Sequence, residues 1–445
     1  MKSTYITPYF IGLVFSSLLT TGCDEGPRGK NRIEIDPVQT TQVTSATKTA
    51  GIHSEETIDV GPTPIHSLKF FFENSGSMNG YLKEHYEIKN AVSRLLSEAE
   101  HKSFRSYLIN TDLYKFEPVP HKITNALTEK GINKGDTNTS DLNFILKTAL
   151  DSTSKDDLSI LITDGIYSVA GDQNSVIGKL KSESNFTARH FEDRLSKDKK
   201  LQTVLIKLNS RFNGSYYTVQ GARINIDQQR PYYLWLFGSV GTIATIQKNL
   251  KFSDLPGYQH HIIFTSDSNK PIEYSILSAF MNKGTFRQHH DKIERPYHIT
   301  NAEKDRRSKD FQFTIGLDLR NIPAEKSYLL NKANYEIIGK DDYTIASIHE
   351  VYTLSPEEIK KINNPNFSHV LVLHSSKNPY GSMHLVLKKQ LPVWIKKTHS
   401  SDDTNIKGDT KTTLGFQHLV SSIDRAYSKV SKTHHYINLP LTIDN

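Results

Sequence analysis

The apolar run Phe70-Phe71-Phe72, inside Ser67-Leu68-Lys69-Phe70-Phe71-Phe72-Glu73, constrains this chain more than any other stretch. A strand whose successive side chains are all large and apolar has no face to give to water. It belongs in a sheet covered on both sides. The run stops abruptly at Asn74-Ser75-Gly76-Ser77-Met78-Asn79-Gly80, a polar, glycine-bearing turn. A helical pattern follows, with Ile88, Val92, Leu95, Leu96 and Ala99 on one face. Strand, turn and helix in that order open an α/β sheet, in which ligand chemistry gathers at the carboxyl ends of the strands.

The alternation continues to about residue 265. Residues 103–110 and 112–118 read as strands, the second at an edge, and Leu142 to Leu150 as a helix. Leu158-Ser159-Ile160-Leu161-Ile162-Thr163 is a second buried strand, ending in Asp164-Gly165. A long helix over about 174–197, strands at 201–208 and 231–238, a short helix near Thr242–Leu250 and a last strand at 260–265 complete the pattern. The expected architecture over 63–265 is a Rossmann-like, mostly parallel sheet with flanking helices.

Three polar elements punctuate that pattern in order: Glu73-Asn74-Ser75-Gly76-Ser77, then Asp136-Thr137-Asn138-Thr139-Ser140-Asp141, then Thr163-Asp164-Gly165. Hydroxyls and carboxylates make an all-oxygen donor set, which suits a hard cation such as Mg²⁺ or Mn²⁺. The arrangement resembles the metal-ion-dependent adhesion site of von Willebrand factor A (VWA) domains, built from D-x-S-x-S after strand one, a Thr in a later loop and an Asp after strand four. The resemblance covers about 200 of the 445 residues. It implies Glu73, Ser75, Ser77 and Asp164 as metal-site residues, with Ser140 or Thr139 as the loop hydroxyl. It also implies a site that takes a carboxylate from a protein ligand. The departure is Glu73 where the family has Asp. In the family that acid often reaches the metal through a water, and the added methylene either displaces the water or moves the carboxylate aside.

The beginning of the chain points to export. Residues 1–23 combine Lys2, an apolar stretch from Tyr9 to Leu19 that is too short to span a bilayer, and small residues ending at Gly22-Cys23. This resembles a bacterial lipoprotein signal in which Cys23 is lipidated, although Thr20 stands where such signals usually carry Leu. Cys23 is the chain's single cysteine, so no intramolecular disulfide can form. Residues 24–62 are rich in Thr, Ser, Lys and Gly without apolar periodicity, the composition of a disordered tether. The net charge of +7 is spread among acids with no basic run, so no nucleic-acid partner is expected.

From 266 to 445 the pattern turns to alternation. Phe311, Phe313, Ile315, Leu317 and Leu319 share one face of a half-buried antiparallel strand, and residues 334–338, 369–374 and 383–389 read as further strands. Asn378-Pro379-Tyr380-Gly381 is expected to turn a hairpin between the last two. Phe416, Leu419, Val420, Ile423, Tyr427 and Val430 form an amphipathic helix capped by Thr412 or Thr413, packed on this β-rich, sandwich-like domain or back on the first sheet. Ser401-Asp402-Asp403-Thr404 reads as a surface loop, with a second ion site as the sharper alternative. No nucleophile elbow, phosphate loop or H-E-x-x-H motif occurs. Adjacent histidine pairs such as His260-His261 point to opposite faces of a strand rather than to one metal.

The expected function is therefore non-enzymatic. A lipid-anchored protein of the cell envelope, at the outer membrane or cell surface rather than the inner membrane, engages a protein partner through the metal site. The rim would include Tyr81, Thr137 and Tyr167. The rivals are a degenerate domain serving as a spacer, and an enzyme with its chemistry in the C-terminal half.

Overall fold

Seven strands, β1 (Ile65–Glu73), β2 (His101–Ile109), β3 (Leu113–Phe116), β4 (Asp157–Thr163), β5 (Leu201–Tyr217), β6 (Arg223–Ser239) and β7 (Tyr258–Phe264), form one sheet in the order β3-β2-β1-β4-β6-β5-β7. The computed structural model describes residues 61–83, 86–266, 272–288, 297–431 and 433–444, all within the unit Thr57–Asn445. The leader, Cys23 and the tether to residue 60 lie outside the described residues.

The phenylalanine run sits at the sheet's centre, paired in parallel with β2 on one side and β4 on the other. Phe70 and Phe72 enter the core on one face, and Phe71 enters the core on the opposite face. All three are fully buried, as a strand without a polar face requires. The helix Glu87–Glu98 covers the first face through Ile88, Ala91, Val92, Leu95 and Leu96. The helices Leu142–Asp151 and Gln173–Lys197 cover the second.

The sheet is mixed rather than mostly parallel. Only β2-β1-β4 run parallel, and β3, β6, β5 and β7 join in antiparallel pairs. The cause is a direct connection: β5 and β6 are the arms of one long hairpin, paired from Leu201↔Ser239 to Tyr217↔Arg223, and hairpin arms must be antiparallel. The strands expected at 201–208 and 231–238 are only the inner halves of these arms. Beyond them the hairpin leaves the sheet as a ribbon, with Phe212, Tyr216 and Ile226 buried in the first-face core.

The C-terminal region is β-rich. Its strands are β8 (Tyr274–Leu277), β9 (Thr285–Gln288), β10 (His298–Glu303), β11 (Phe311–Leu317), β12 (Tyr335–Ile338), β13 (Tyr343–Glu350), β14 (His369–Ser375) and β15 (Gly381–Lys388). To these are added the short pair β16 (His399–Ser400) and β17 (Thr413–Leu414), and the last strand β18 (His435–Ile443). A five-stranded sheet, β12-β15-β18-β10-β9, and a four-stranded sheet, β13-β14-β11-β8, share one hydrophobic core.

Two local expectations fail here for physical reasons. β14 and β15 do not form a hairpin, because β14 lies between β13 and β11 in one sheet while β15 lies between β12 and β18 in the other. Residues 378–381 therefore cross between layers. β11 is buried on both faces rather than one: its alternate side meets a small second core of Phe280, Ile362, Phe367 and Val370, where Thr314 donates to the Phe280 carbonyl at 2.7 Å.

The amphipathic helix, Phe416–Val430, returns to the first sheet. Leu419, Val420, Ile423 and Tyr427 join the second-face core, and the Tyr427 hydroxyl lies 2.9 Å from Thr203 Oγ1. Its N-cap is Gly415, in the left-handed region at φ 73°, and not Thr412 or Thr413. Thr413 is engaged instead with the Tyr233 hydroxyl at 2.8 Å. Among the described residues no helix is long and apolar enough to cross a membrane.

Candidate functional site

The ends of β1 and β4 lie side by side because the two strands are hydrogen-bonded neighbours in register, Phe72↔Ile162. β1 ends on Glu73, and β4 ends on Thr163 with Asp164 immediately beyond. Both acids are buried, Glu73 at 1% exposure and Asp164 at 4%. Gly165 takes the left-handed φ of 70° that turns the chain away, and a Cβ there would stand 2.7 Å from the Tyr233 ring.

The serines of the turn meet these acids. Ser75 Oγ lies 3.0 Å from Ser77 Oγ, and Ser77 Oγ donates to Asp164 Oδ2 at 2.6 Å. Thr163 Oγ1 donates to Glu73 Oε2 and accepts the Gly165 N–H at 2.9 Å. Ser75 occupies the N-cap position of the 3₁₀ turn Gly76–Tyr81, yet its side chain makes no capping bond. Its hydroxyl is committed to the polar cluster instead.

The middle loop is held through its backbone carbonyls. The Gly76 N–H donates to the Thr137 carbonyl at 2.7 Å, and the Asn110 side chain donates to the Asp136 carbonyl at 2.8 Å. Asp141 ends the loop as N-cap of the following helix, accepting from the Phe144 N–H at 3.0 Å. This places Ser140 in the interior, with Oγ 3.1 Å from Ser168 Oγ, and leaves Thr139 exposed at the margin.

Electrostatics follow from that burial. Glu73 is pushed up to about 7, first by loss of water and then by the negative charge of Asp164, against hydrogen bonds from Thr163, Ser75 and Ser140. Asp164 is also raised by burial, opposed by the Ser77 hydroxyl, the positive charge of Arg230 and the Ile166 N–H.

Ser75, Ser77, Thr139, Ser140 and Asp164 open onto one cavity of about 400 Å³, whereas Glu73 is not part of its lining and is hydrogen-bonded to Ser75 and Ser140. Thr137 and Tyr167 also line it. Tyr81 does not: it is fully buried, donating to the Pro231 carbonyl at 2.6 Å. A larger groove of about 630 Å³ runs along the β2–β3 edge between Phe104 and Pro120, away from all of these residues.

Asp403 also lines the cavity, and the surface-loop reading of residues 401–404 is wrong for it. It is 3% exposed, accepting from the Tyr216 hydroxyl at 3.0 Å and from the Val219 N–H at 3.3 Å. Only the ribbon beyond the sheet brings Tyr216 and Val219 to it, so local sequence carried no signal. Arg230 was missed as well, since its role depends on the same ribbon. Among the described residues no three His, Cys, Asp or Glu side chains gather as a metal cage. The candidate donors are hydroxyls and two acids.

Fold and site together define a mixed α/β protein with a β-rich C-terminal region and a buried hydroxyl–carboxylate cluster at the ends of two parallel strands. The chain matches no family model, no curated protein and no solved structure.

Proposed function

We propose that the cluster is a VWA-type site for Mg²⁺ or Mn²⁺, through which a lipid-anchored envelope protein grips a carboxylate on a protein partner. The observation that carries this reading is the convergence of Ser75, Ser77, Ser140 and Asp164 from three separate loops onto one cavity, with Glu73 hydrogen-bonded to Ser75 and Ser140. The donors are all oxygen and only two are acids, a set that fits a hard divalent cation while leaving it electrophilic. Two carboxylates both raised by burial, with Glu73 raised further by the charge of Asp164, are also a cluster that added positive charge stabilises.

Ser75, Ser77, Ser140 and Asp164 would hold the ion, with Glu73 supporting Ser75 and Ser140 through hydrogen bonds and Thr139 at the margin. Bound there, the ion supplies Lewis-acid attraction for an incoming carboxylate oxygen. The chain's own part is to keep the hydroxyls aimed and the acids out of water. Anchoring through Cys23 and the tether would hold this site at the membrane surface, and no enzymatic step is assigned to it.

One observation favours the spacer reading instead: Ser77 and Thr163 already hydrogen-bond both acids without any ion. Partner capture from envelope extract, with and without EDTA, separates the two. The metal reading expects capture that EDTA abolishes and that Ser75→Ala or Asp164→Ala weakens at least tenfold in folded protein. Capture indifferent to all three treatments supports the spacer.

A further inference from the structure

The helices Gln173–Lys197 and Phe416–Val430 pack along one another over the second face of the first sheet, with the Phe191 and Tyr427 rings 6.4 Å apart in the core. On their outer side they leave a pocket of about 330 Å³. Lys181, Ser184 and Asn185 line it from one helix, and His418, Ser421, Ser422 and Arg425 from the other. That lining holds two cations and no acid, and it shares no residue with the cavity at the ends of β1 and β4.

The acids nearest along the chain are engaged elsewhere. Glu183 accepts from the Asn143 amide at 2.5 Å, Glu192 pairs with Lys429, and the charge of Asp424 is favoured by Lys389. Among the described residues neither Lys181 nor Arg425 forms an ion pair. The partner Arg425 does have is neutral: its Nη2 donates to Asn185 Oδ1 at 2.9 Å. That bond fixes the guanidinium while leaving its charge uncompensated and further N–H donors unused. Ser184 and Ser422 donate to carbonyls of their own helices, at 2.8 Å to Lys181 and 2.6 Å to Leu419. The Ser421 hydroxyl has no such commitment among the described residues. His418 is held below its ordinary range by burial and then by the positive charge of Lys181, so positive charge is crowded here without an anion to relieve it.

We propose that this pocket binds a phosphate group in its doubly charged form. One ammonium and one guanidinium match a dianion in charge. The guanidinium presents paired N–H donors to two phosphate oxygens, while the lysine acts as a point charge. Ser421 adds a neutral donor. Free phosphate and an organic phosphomonoester offer the same chemistry to these groups.

Calorimetry on the full-length protein separates the two sources. It is run in EDTA, so that no metal elsewhere recruits the anion, and at about pH 8, where a phosphomonoester is doubly charged. Inorganic phosphate, glycerol 3-phosphate and acetate are titrated in turn. Wild-type protein should take at least one phosphate compound at least about tenfold more tightly than acetate, and whichever of the two binds more tightly names the source. Lys181→Ala and Arg425→Ala, both at exposed positions, should each weaken that binding at least about tenfold. Lys248→Ala, an equal loss of charge on the exposed side of the helix Val240–Asn249, should leave it unchanged. Phosphate compounds that bind no more tightly than acetate, or give no heat of binding, overturn the proposal. So does a folded Lys181→Ala or Arg425→Ala protein that binds as Lys248→Ala does.

Discussion

Ser77 is the residue on which the cluster turns, since its one hydroxyl touches Ser75 and donates to Asp164. Ser77→Ala leaves a buried carboxylate short of a donor and should cost roughly 1–3 kcal/mol in chemical denaturation. Glu73 has a sign that can be read in solution. Its folded pKa is raised from 4.5 to about 7, so folding takes up a proton between those values. The stabilising contribution is complete below about pH 4.5 and is lost as pH rises through about 7. In EDTA, urea melts at pH 5 and pH 8 should therefore differ more for wild type than for Glu73→Gln, by roughly 3 kcal/mol at most. Equal pH dependence in the two proteins would contradict the assignment. At this scale the sequence was informative about Glu73, Ser75, Ser77 and Asp164, because each sits at or just beyond the end of a recognisable strand. It left Thr139 against Ser140 open, and the Asp141 cap decides that geometry. Asp403 and Arg230 were illegible, since their partners are 187 residues away in one case and rings on a ribbon in the other.

Among the elements, the β5–β6 hairpin does the most to shape the site. Its ribbon presses on the 3₁₀ turn that carries the serines: a Cβ on Gly80 would stand 2.4 Å from the Phe212 ring, and one on Gly214 would stand 2.7 Å from Gly80 Cα. Gly80→Ala should therefore cost about 1–3 kcal/mol and disturb Ser77 with it. Gly178, inside the helix Gln173–Lys197, meets nothing within 4 Å, so Gly178→Ala should instead stabilise by about 0.5–1 kcal/mol. Thermal melts of the two variants should move in opposite directions, and a shift of the same sign in both would contradict this packing. The ribbon escaped sequence reading because residues 209–215 and 223–230 are mostly polar, and a two-stranded extension needs apolar residues only where it touches the body. The hairpin expected at 378–381 failed for a related reason. Turn chemistry signals a reversal of the chain but does not say whether the next strand pairs or crosses to another layer.

For the whole molecule, the decisive feature is that the chain comes back. Trp394, Ile395, Leu414 and Phe416, together with the helix Phe416–Val430, complete the second-face core of the first sheet, and Phe416 stacks on Tyr233 with ring centres 4.5 Å apart. Residues 61–266 expressed alone should therefore show no cooperative thermal transition, because one sheet face would be left uncovered; a sharp melt would contradict this. Periodicity revealed the apolar stripe of that helix but could not name the face it covers, since one stripe fits either of two sheets. The same return carries Asp403 to the cavity, so the C-terminal half helps to build the site at the ends of β1 and β4. Titration of full-length protein with Mn²⁺ shows directly whether that site holds a divalent ion. The expected result is one saturable site per chain that is lost on Ser77→Ala and Asp164→Ala while both variants stay folded. Heat of dilution alone from wild-type protein, or a site that survives both substitutions, would contradict it.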